Sequence, residues 1–282
     1  FQHEILERVL TGRNILGIAA TGGGKSECFI LPAVLLSGIT VVVSPLKSLM
    51  HDQYHQRIRD RFGLHHLTTY LNGDLPFYER EARLRRMEQG CYKLIYVTPE
   101  QLERSYVLES LNRVNKTIGV RYLAMDEAHC ISQGGHDFRP SYLNIPRRLS
   151  DQGREIRPAI IALTATASPP VRADICEELG PDSRPLDQGG DVLVHSANRP
   201  ELNFVVRVTS NTAAKSAGIV DDLRQLERYN RDNEEQGAAL VFMPYTGGPG
   251  GAQSAGVSPF ASYLEQELGR KVAIYHGKMD SD

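Results

Sequence analysis

The sequence predicts an α/β fold in which a parallel sheet is flanked by helices, and three observations support this prediction. Short apolar runs rich in β-branched residues, such as Ile39–Val43, are typical of strands that are covered on both faces. Stretches with helical spacing, such as residues 78–89, lie between these runs. A polar segment follows most runs directly. Since parallel strands end at the same edge of a sheet, we expect these polar segments to share one edge.

The first helix and the first strand precede a glycine-rich segment. Residues 1–10 have apolar residues at helical spacing, and residues 14–19 form an apolar run. Residues 27–31 have the pattern of the first turn of a helix. The intervening segment reads Ala19-Ala20-Thr21-Gly22-Gly23-Gly24-Lys25-Ser26. A strand, a glycine-rich loop, Lys-Ser and a helix in this order predict a phosphate-binding loop.

Each residue type in this loop suits a phosphate ligand. The three glycines let the backbone adopt positive φ and bring its N–H groups close to an anion. Lys25 supplies positive charge for the terminal phosphates, and the Ser26 hydroxyl can ligate Mg²⁺. The pattern G-x-x-x-x-G-K-[ST] is not fully met, because Ala19 stands at its first glycine. The alternative interpretation is a glycine-rich turn with a chance lysine.

Gln2, in the first predicted helix, is a candidate contact to a nucleotide base. A side-chain amide can donate to and accept from the adenine edge at once, which gives base selectivity that phosphate contacts cannot give. The alternative is a surface glutamine at a frayed terminus.

Two later runs end in Ser or Thr followed by Pro. Ser44 follows Ile39–Val43, and Thr98 follows Leu94–Val97. Ser or Thr before Pro at a helix start predicts a capped N-terminus whose free N–H groups suit the phosphates of a nucleic-acid strand. Lys47 adds positive charge to the first of these segments. Ordinary capping without a ligand is the alternative for either segment.

A carboxylate pair follows the run at residues 122–125. An ionised Asp126 can hold Mg²⁺, usually through water, while Glu127 can orient and deprotonate the water that attacks a γ-phosphate. Two adjacent carboxylates alone are more often a solvated turn. Their position after a buried strand, downstream of a phosphate loop, favours the catalytic interpretation. A last run, residues 160–163, ends in Thr164-Ala165-Thr166.

The composition limits the partners and the compartment. The 282 residues are 41% hydrophobic and carry a net charge of -2, so binding to nucleic acid must depend on local patches. The four cysteines form no C-x-x-C pair, which argues against a zinc site or a disulfide framework and favours a reducing compartment. With no membrane-span-length apolar stretch and no leader pattern, we expect no membrane partner and a cytoplasmic or nuclear location. Because the chain starts at Phe1 without Met, we expect it to be a segment of a longer protein.

Five segments resemble the RecQ family of DNA helicases. They are residues 19–26, 42–53, 96–100, 126–142 and 163–168. The resemblance is strong over about residues 1–205, and residues 126–142 are its most specific part.

The resemblance implies an ATP-driven motor that moves 3′ to 5′ on single-stranded DNA, separates duplex at junctions, and acts in DNA repair or recombination. It implies a RecA-like ATP-binding domain at residues 1–200 and a partial second RecA-like domain at residues 201–282. ATP and Mg²⁺ are the implied cofactors. The candidate nucleotide-binding residues are Gln2, Thr21, Gly22, Gly23, Gly24, Lys25 and Ser26. The candidate magnesium ligands are Ser26 and Asp126, and the candidate catalytic residues are Lys25, Asp126 and Glu127. The candidate DNA-binding and coupling residues are Ser44, Lys47, Thr98, His129, Phe138, Arg139, Thr164 and Thr166.

One position departs from the family pattern. The loop at residues 131–139 resembles the family's aromatic-rich loop, which senses single-stranded DNA, but Gly134 stands where the family usually has Trp. Stacking on an aromatic ring contributes roughly 1–3 kcal/mol per base. We therefore expect weakened strand sensing unless Phe138 and Arg139 compensate.

The second part of the chain has weaker patterns. Residues 203–208, 238–242 and 272–275 have strand patterns, residues 219–229 have helical spacing, and residues 246–259 predict a flexible loop. The chain ends before the family motifs that supply arginines to the transition state, so we expect this segment alone to hydrolyse ATP slowly.

Two other functions are open. One is an RNA-directed helicase of the same superfamily, against which stands the segment at residues 126–142, since RNA enzymes of the DEAD type lack it. The other is a nucleotide-gated DNA-binding module without motor action, which the absence of Trp favours.

Overall fold

The computed structural model describes residues 1–134, 137–180, 186, 191–195, 202, 205–209, 211–234, 237–242 and 257–274. The chain separates into two compact units, Phe1–Glu201 and Leu202–Asp282. Among the described residues, no helix combines the length and the apolar character needed to cross a membrane.

The first unit is built on a parallel sheet. Its described strands are β1 (Ile15–Ile18), β2 (Ile39–Val43), β3 (Thr68–Leu71), β4 (Leu94–Val97), β5 (Val120–Met125), β6 (Ala159–Thr164) and β7 (Val192–Val194). The strand order is β3-β4-β2-β5-β6-β1-β7, and every pair is parallel. The α/β fold with a parallel sheet, predicted from the sequence, is confirmed.

Helices connect the strands and cover both faces of the sheet. They are α1 (Gln2–Leu10), α2 (Glu27–Leu35), α3 (Lys47–Asp52), α4 (Phe77–Glu88), α5 (Pro99–Leu102), α6 (Ser105–Thr117), α7 (Ile145–Ser150) and α8 (Pro169–Leu179). A π-helix, Gln53–Arg61, continues α3, and short 3₁₀ turns lie at His65–Leu67, Ala128–Ile131 and Pro140–Tyr142.

Two apolar cores lie on opposite faces of the sheet. Alternate residues of each strand point to opposite faces, and in β2 Val41 and Val43 belong to one core while Val42 belongs to the other. Helices α1 and α2 cover the face of Val42, whereas α4, α6, α7 and α8 cover the other face. Because both faces are covered, every residue of β1, β2 and β4 is buried.

Gly17, in the middle of β1, leaves no room for a larger side chain. A Cβ built on Gly17 would lie 2.6 Å from Ile5 Cδ1 and 2.8 Å from Leu163 Cδ2. We expect Gly17→Ala to lower the free energy of unfolding by about 1 kcal/mol, because the buried ends of the Ile5 and Leu163 side chains must shift to make room for the new methyl group. Urea unfolding measures this change. Gly134→Ala is the control, since its Cβ would meet Ser132 Oγ at an ordinary 3.5 Å. Equal unfolding midpoints for the two variants would contradict the expected strain.

The second unit contains two described helices, α9 (Thr212–Asn233) and α10 (Val257–Leu268). They share a small apolar core formed by Val220, Leu223, Phe260 and Leu264. The helix predicted at residues 219–229 is confirmed within α9. That this unit is a partial RecA-like domain stays a prediction.

Several predictions for the second unit are wrong. The predicted strand at residues 238–242 has no strand structure, and Leu240 and Phe242 are 84% and 89% exposed. The described residues at 205–208 and 272–274 also form no strand, because no described strand pairs with them. Residues 257–259 of the predicted loop begin α10. The other positions of these segments, residues 203–204, 246–256 and 275, lie outside the described residues.

Candidate active site

The glycine-rich segment forms a tight loop between β1 and α2. Gly22 and Gly24 have φ angles of +83° and +71°, values that side-chain-bearing residues rarely adopt. Gly23 N–H donates to the Ala20 carbonyl at 3.1 Å, which closes the turn. Within the described residues, the N–H groups of Gly22 and Gly24 donate no hydrogen bond. They are therefore available to an anion at the start of α2.

The Lys25 ammonium lies inside this loop. Its Nζ donates to the carbonyl oxygens of Ala19, at 2.9 Å, and Ala20, at 3.2 Å. These contacts hold the positive charge against the same turn that presents the glycine N–H groups. An anion bound in the loop would therefore meet both backbone donors and a full charge.

Gln2 connects α1 to the loop. Its Nε2 donates to the Gly24 carbonyl at 3.1 Å, and a Cβ at Gly24 would lie 2.0 Å from that nitrogen. The side-chain amide therefore packs directly on the loop, which a residue other than glycine at position 24 would prevent. Contact between Gln2 and an adenine base stays a prediction.

Asp126 lies at the end of β5, in the protein interior. Its side chain is 4% exposed, and its N–H donates to the Val43 carbonyl at 2.9 Å. Gln53 Nε2 donates to Oδ2 at 2.9 Å, and the Glu127 N–H donates to Oδ1 at 3.2 Å. Both carboxylate oxygens thus have a donor, which fixes the plane of the carboxylate.

Burial raises the pKa of Asp126 above its ordinary value, because the interior solvates a charged carboxylate poorly. The hydrogen bond from Gln53 opposes this shift, the negative charge of Glu127 adds to it, and the Lys25 ammonium opposes it weakly.

Glu127 has a left-handed backbone conformation, with φ +49° and ψ +50°. Such a conformation costs about 1–3 kcal/mol for a residue that bears a side chain, and it is concentrated at functional sites. Its carboxylate lies 3.2 Å from His129 Nδ1. The strained turn therefore directs Glu127 and His129 to the same place at the end of β5.

Thr164, at the end of β6, connects the glycine-rich loop to the carboxylates. Strand β6 lies between β1 and β5 in the sheet. The Thr164 carbonyl accepts from the Ala19 N–H at 3.1 Å, and its Oγ1 lies 2.9 Å from His129 Nδ1. Thr164 Oγ1 also donates to the Thr166 carbonyl at 3.1 Å. The structure thus brings the Lys25 loop and the Asp126-Glu127 pair together at one edge of the sheet.

The oxygen atoms near Asp126 fit a magnesium ion. Mg²⁺ prefers carboxylate, hydroxyl and carbonyl oxygens, and it usually keeps several waters. Ser26 is buried at the start of α2, and Asp126 presents a fixed carboxylate. Gln53 Oε1 is a buried acceptor that has no hydrogen-bond partner within the described residues. A magnesium-bound water would satisfy that acceptor.

Sequence reasoning missed Gln53 as a site residue. It lies in the predicted nucleic-acid segment at residues 42–53, but no pattern connected its side chain to Asp126. The only sign of a role for Gln53 in the sequence was its polar side chain. Gln53 begins a π-helix, and the spacing of an α-helix does not predict which way a side chain in a π-helix points.

The predicted side-chain caps at Ser44 and Thr98 are wrong. Both side chains are buried, Ser44 Oγ has no hydrogen-bond partner within the described residues, and Thr98 makes no cap hydrogen bond at α5. Their N–H groups donate to Val97 and Leu71 carbonyls of neighbouring strands. The predicted contact of Ser44 and Thr98 with a nucleic-acid strand stays a prediction.

Arg139 joins the loop at residues 131–139 to the segment after β2. Its Nη1 donates to the Pro45 carbonyl at 2.7 Å, and its guanidinium also contacts the Asp137 carboxylate at 3.3 Å. Phe138, beside it, is half-buried, and Gly134 is exposed. Lys47 is exposed and pairs with Asp74 at 2.5 Å. The predicted DNA-contacting residues Lys47 and Arg139 therefore lie on segments that follow β2 and β5.

Asp126→Asn is expected to make the protein more stable at neutral pH. The raised pKa of Asp126 means that the folded protein binds its proton more tightly than the unfolded chain, whose value lies near 3.8. The free energy of unfolding therefore falls as pH rises from that value through the folded-state pKa. Asparagine does not titrate, so this fall in the free energy of unfolding disappears. Gln53 can rotate its side-chain amide so that Oε1 accepts a hydrogen bond from the new asparagine amide at position 126.

We expect a higher free energy of unfolding at pH 7 and a flatter dependence of stability on pH in the acid range. Urea unfolding at several pH values measures both. Asp151→Asn, at an exposed carboxylate, is the control and should change neither. A less stable Asp126→Asn protein at pH 7 would show that the charge is well solvated in the folded state.

The glycine-rich loop and the Asp126-Glu127 pair at one edge of a parallel sheet are the arrangement expected of a nucleotide-dependent helicase domain. The model of the DEAD/DEAH box helicase family matches residues 1–174, and the chain belongs to this family.

Two curated relatives from Bacillus subtilis (strain 168) are DNA helicases of the predicted type. A probable ATP-dependent DNA helicase RecS is 32% identical over 282 residues, which are 99% of this chain and 49% of the relative. The ATP-dependent DNA helicase RecQ is 44% identical over 182 residues, which are 63% of this chain and 29% of the relative. The predicted similarity to RecQ-type helicases is confirmed, and this chain spans about half or less of these relatives.

A solved structure confirms the fold at low sequence identity. The crystal structure of the DUF1998 helicase MrfA superposes with a TM-score of 0.61 at 19% identity, over 97% of this chain and 39% of that chain. This similarity concerns the fold alone.

Proposed function

We propose that the chain binds and hydrolyses ATP within a DNA helicase that moves 3′ to 5′ on single-stranded DNA and separates duplex ahead of it. The observation that carries this proposal is Thr164, which contacts both the glycine-rich loop and His129 beside the Asp-Glu pair. The similarity to RecQ and RecS supports DNA as the nucleic acid.

The phosphate site is the first part of the mechanism. The free N–H groups of Gly22 and Gly24 and the Lys25 ammonium hold the β- and γ-phosphates of ATP, and Lys25 leaves the Ala19 and Ala20 carbonyls to do so. Ser26 and Asp126 would hold Mg²⁺, which supplies neutralisation of the developing phosphate charge. Gln53 fixes the Asp126 carboxylate in the orientation needed for that role.

Glu127 carries the hydrolytic step. Its carboxylate accepts a proton from a water and orients that water toward the γ-phosphate. The left-handed turn keeps the carboxylate beside His129, and His129 contacts Thr164. A change at the γ-phosphate therefore reaches β6 and the segment at residues 164–166 through direct side-chain contacts.

A hydrogen bond from the Arg139 side chain connects the proposed DNA side to the carboxylate turn. Arg139, from the loop that follows Glu127, donates to the Pro45 carbonyl after β2. Movement of the carboxylate turn would therefore shift the segment that carries Lys47. This contact is the proposed physical connection between hydrolysis and the DNA strand.

One experiment tests the proposal. ATP hydrolysis is measured without nucleic acid, with an unpaired DNA oligonucleotide and with an RNA oligonucleotide of the same sequence. We expect slow turnover by this chain, and in a protein with both RecA-like domains we expect stimulation by DNA and separation of duplexes with a 3′ tail. No stimulation by DNA would contradict the proposal, and stronger stimulation by RNA would favour an RNA-directed helicase.

One observation favours a second candidate, a nucleotide-gated DNA-binding module. Gly134 is exposed and offers no ring for strand sensing. Such a module would bind DNA in an ATP-dependent manner without separating strands in the same assay.

A further inference from the structure

An exposed cluster of aromatic side chains lies at the starts of α4 and α6, outside the residues of the candidate active site. Phe77 is 67% exposed, Tyr78 is 70% exposed and Tyr106 is 36% exposed. The Arg80 guanidinium carbon lies 5.8 Å from the Phe77 ring centroid and 5.3 Å from the Tyr106 ring centroid. Phe77, Tyr78, Arg80 and Tyr106 are called the aromatic cluster below.

The apolar core does not account for the aromatic cluster. Helix α4 packs on the sheet through Met87 and Leu84, and the cluster belongs to neither apolar core of the first unit. A large aromatic ring that stays mostly in water forgoes the burial that stabilises other rings of this chain. Phe77 and Tyr78 are two such rings, Tyr106 is about one third exposed beside them, and the group indicates a binding surface.

The charge of Arg80 distinguishes the aromatic cluster from the rest of α4. Arg83 and Arg85 pair with Glu79 and Glu81, each one turn earlier in the helix. Arg80 forms no ion pair with any described residue, and its guanidinium lies against the two rings. Its charge is therefore available to an anionic partner, while the rings keep it in place.

Contacts connect the aromatic cluster to the DNA-facing segments. Tyr106 OH donates to Gln101 Oε1 at 2.9 Å, after β4. A Cβ built on Gly73, after β3, would lie 3.9 Å from Gln101 Nε2 and 3.8 Å from Lys47 Nζ. Lys47 pairs with Asp74, shortly before Phe77. The segments after β2, β3 and β4 and the aromatic cluster therefore form one continuous surface at the active-site edge of the sheet.

We propose that the aromatic cluster is a base-stacking subsite for single-stranded DNA. This inference rests on the proposed function and adds a contact surface to it. Unpaired bases stack on aromatic rings regardless of sequence, and an arginine between the rings pairs with the phosphate that joins two bases. The subsite supplies the aromatic stacking that Gly134 does not supply in the loop at residues 131–139.

The test measures the affinity of the protein for a fluorescent oligo-dT strand by anisotropy, in the presence of a non-hydrolysable ATP analogue. The variant is Phe77→Ala combined with Tyr106→Ala. Since each stacked base contributes roughly 1–3 kcal/mol, we expect the double variant to bind at least about fivefold more weakly. Phe77→Trp should retain wild-type affinity. Leu35→Ala, which removes an exposed apolar side chain at the far end of α2, is the matched control and should change nothing.

A strand that has phosphates but no bases separates stacking from charge. The double variant and the wild-type protein should bind this abasic strand equally. An equal loss of affinity for both strands would overturn the stacking role, and so would unchanged affinity for oligo-dT, with the proposed function intact in each case. A wild-type protein that binds neither strand in any nucleotide state would instead contradict the proposed function. Urea unfolding verifies that the exposed substitutions leave the fold unchanged.

Discussion

Replacing Lys25 with alanine is expected to lower ATP turnover by about 10²–10³-fold, the usual cost of removing a preorganised group that stabilises transition-state charge. The Lys25 ammonium is held in the glycine-rich loop by the Ala19 and Ala20 carbonyls. When ATP binds, the ammonium moves from these carbonyls to the phosphates within the same loop, so it is already in contact when charge develops on the γ-phosphate.

Steady-state phosphate release measures the effect of Lys25→Ala. Lys116→Ala, which removes an exposed lysine from α6, is the matched control and should retain wild-type turnover. Urea unfolding of both variants separates a local effect from loss of the fold. Wild-type turnover by a folded Lys25→Ala protein would contradict the proposal that this loop binds the phosphates of ATP during hydrolysis.

Glu127→Gln is expected to lower the rate of hydrolysis by about 10²–10⁴-fold while ATP binding persists. Glutamine has the same shape as glutamate, so the left-handed turn and the packing around it are retained. It lacks the basic oxygen that takes a proton from the attacking water. Single-turnover hydrolysis reports the chemical step, and binding of a fluorescent ATP analogue reports the affinity.

The matched control is Glu109→Gln, which removes an exposed carboxylate on α6. It should change neither the rate nor the affinity. A Glu127→Gln protein that loses hydrolysis and nucleotide affinity together would indicate a binding role for this carboxylate. Unchanged hydrolysis would exclude it as the general base.

The sequence predicted the central strands of the sheet and missed its two edges. In the central strands β1, β2 and β4 every residue is buried, so their apolar runs are continuous. The edge strand β3 reads Thr-Thr-Tyr-Leu, so it begins with two polar residues although most of it is buried. The other edge strand, β7, has only three residues. Neither therefore gives an apolar run as long as those of the central strands.

The sequence predicted those residues of the candidate site whose positions follow from the pattern of nearby residues. Lys25 and the Asp126-Glu127 pair follow buried strands directly, and the parallel sheet then places them at one edge. The contacts between Gln53 and Asp126 and between Arg139 and Pro45 join segments far apart in sequence, so no local pattern reveals them. Ser44 was misjudged because a serine before proline gives the same pattern whether its side chain caps a helix or is buried.

The wrong strands in the second unit have a different cause. The segment at residues 238–242 is entirely apolar, which favours a buried strand, but a strand exists only where a neighbour pairs with its backbone. The composition of a segment does not reveal whether another strand lies beside it and pairs with its backbone. The helix α9 was predictable because its hydrogen bonds are internal.

A crystal structure of this protein with Mg²⁺ and a non-hydrolysable ATP analogue tests the central claim most directly. We predict that the γ-phosphate contacts Lys25 Nζ in the glycine-rich loop, and that Mg²⁺ lies between Ser26 and the carboxylate of Asp126, reached directly or through water. A nucleotide bound elsewhere, with Lys25 still on the Ala19 and Ala20 carbonyls and no metal near Asp126, would contradict it.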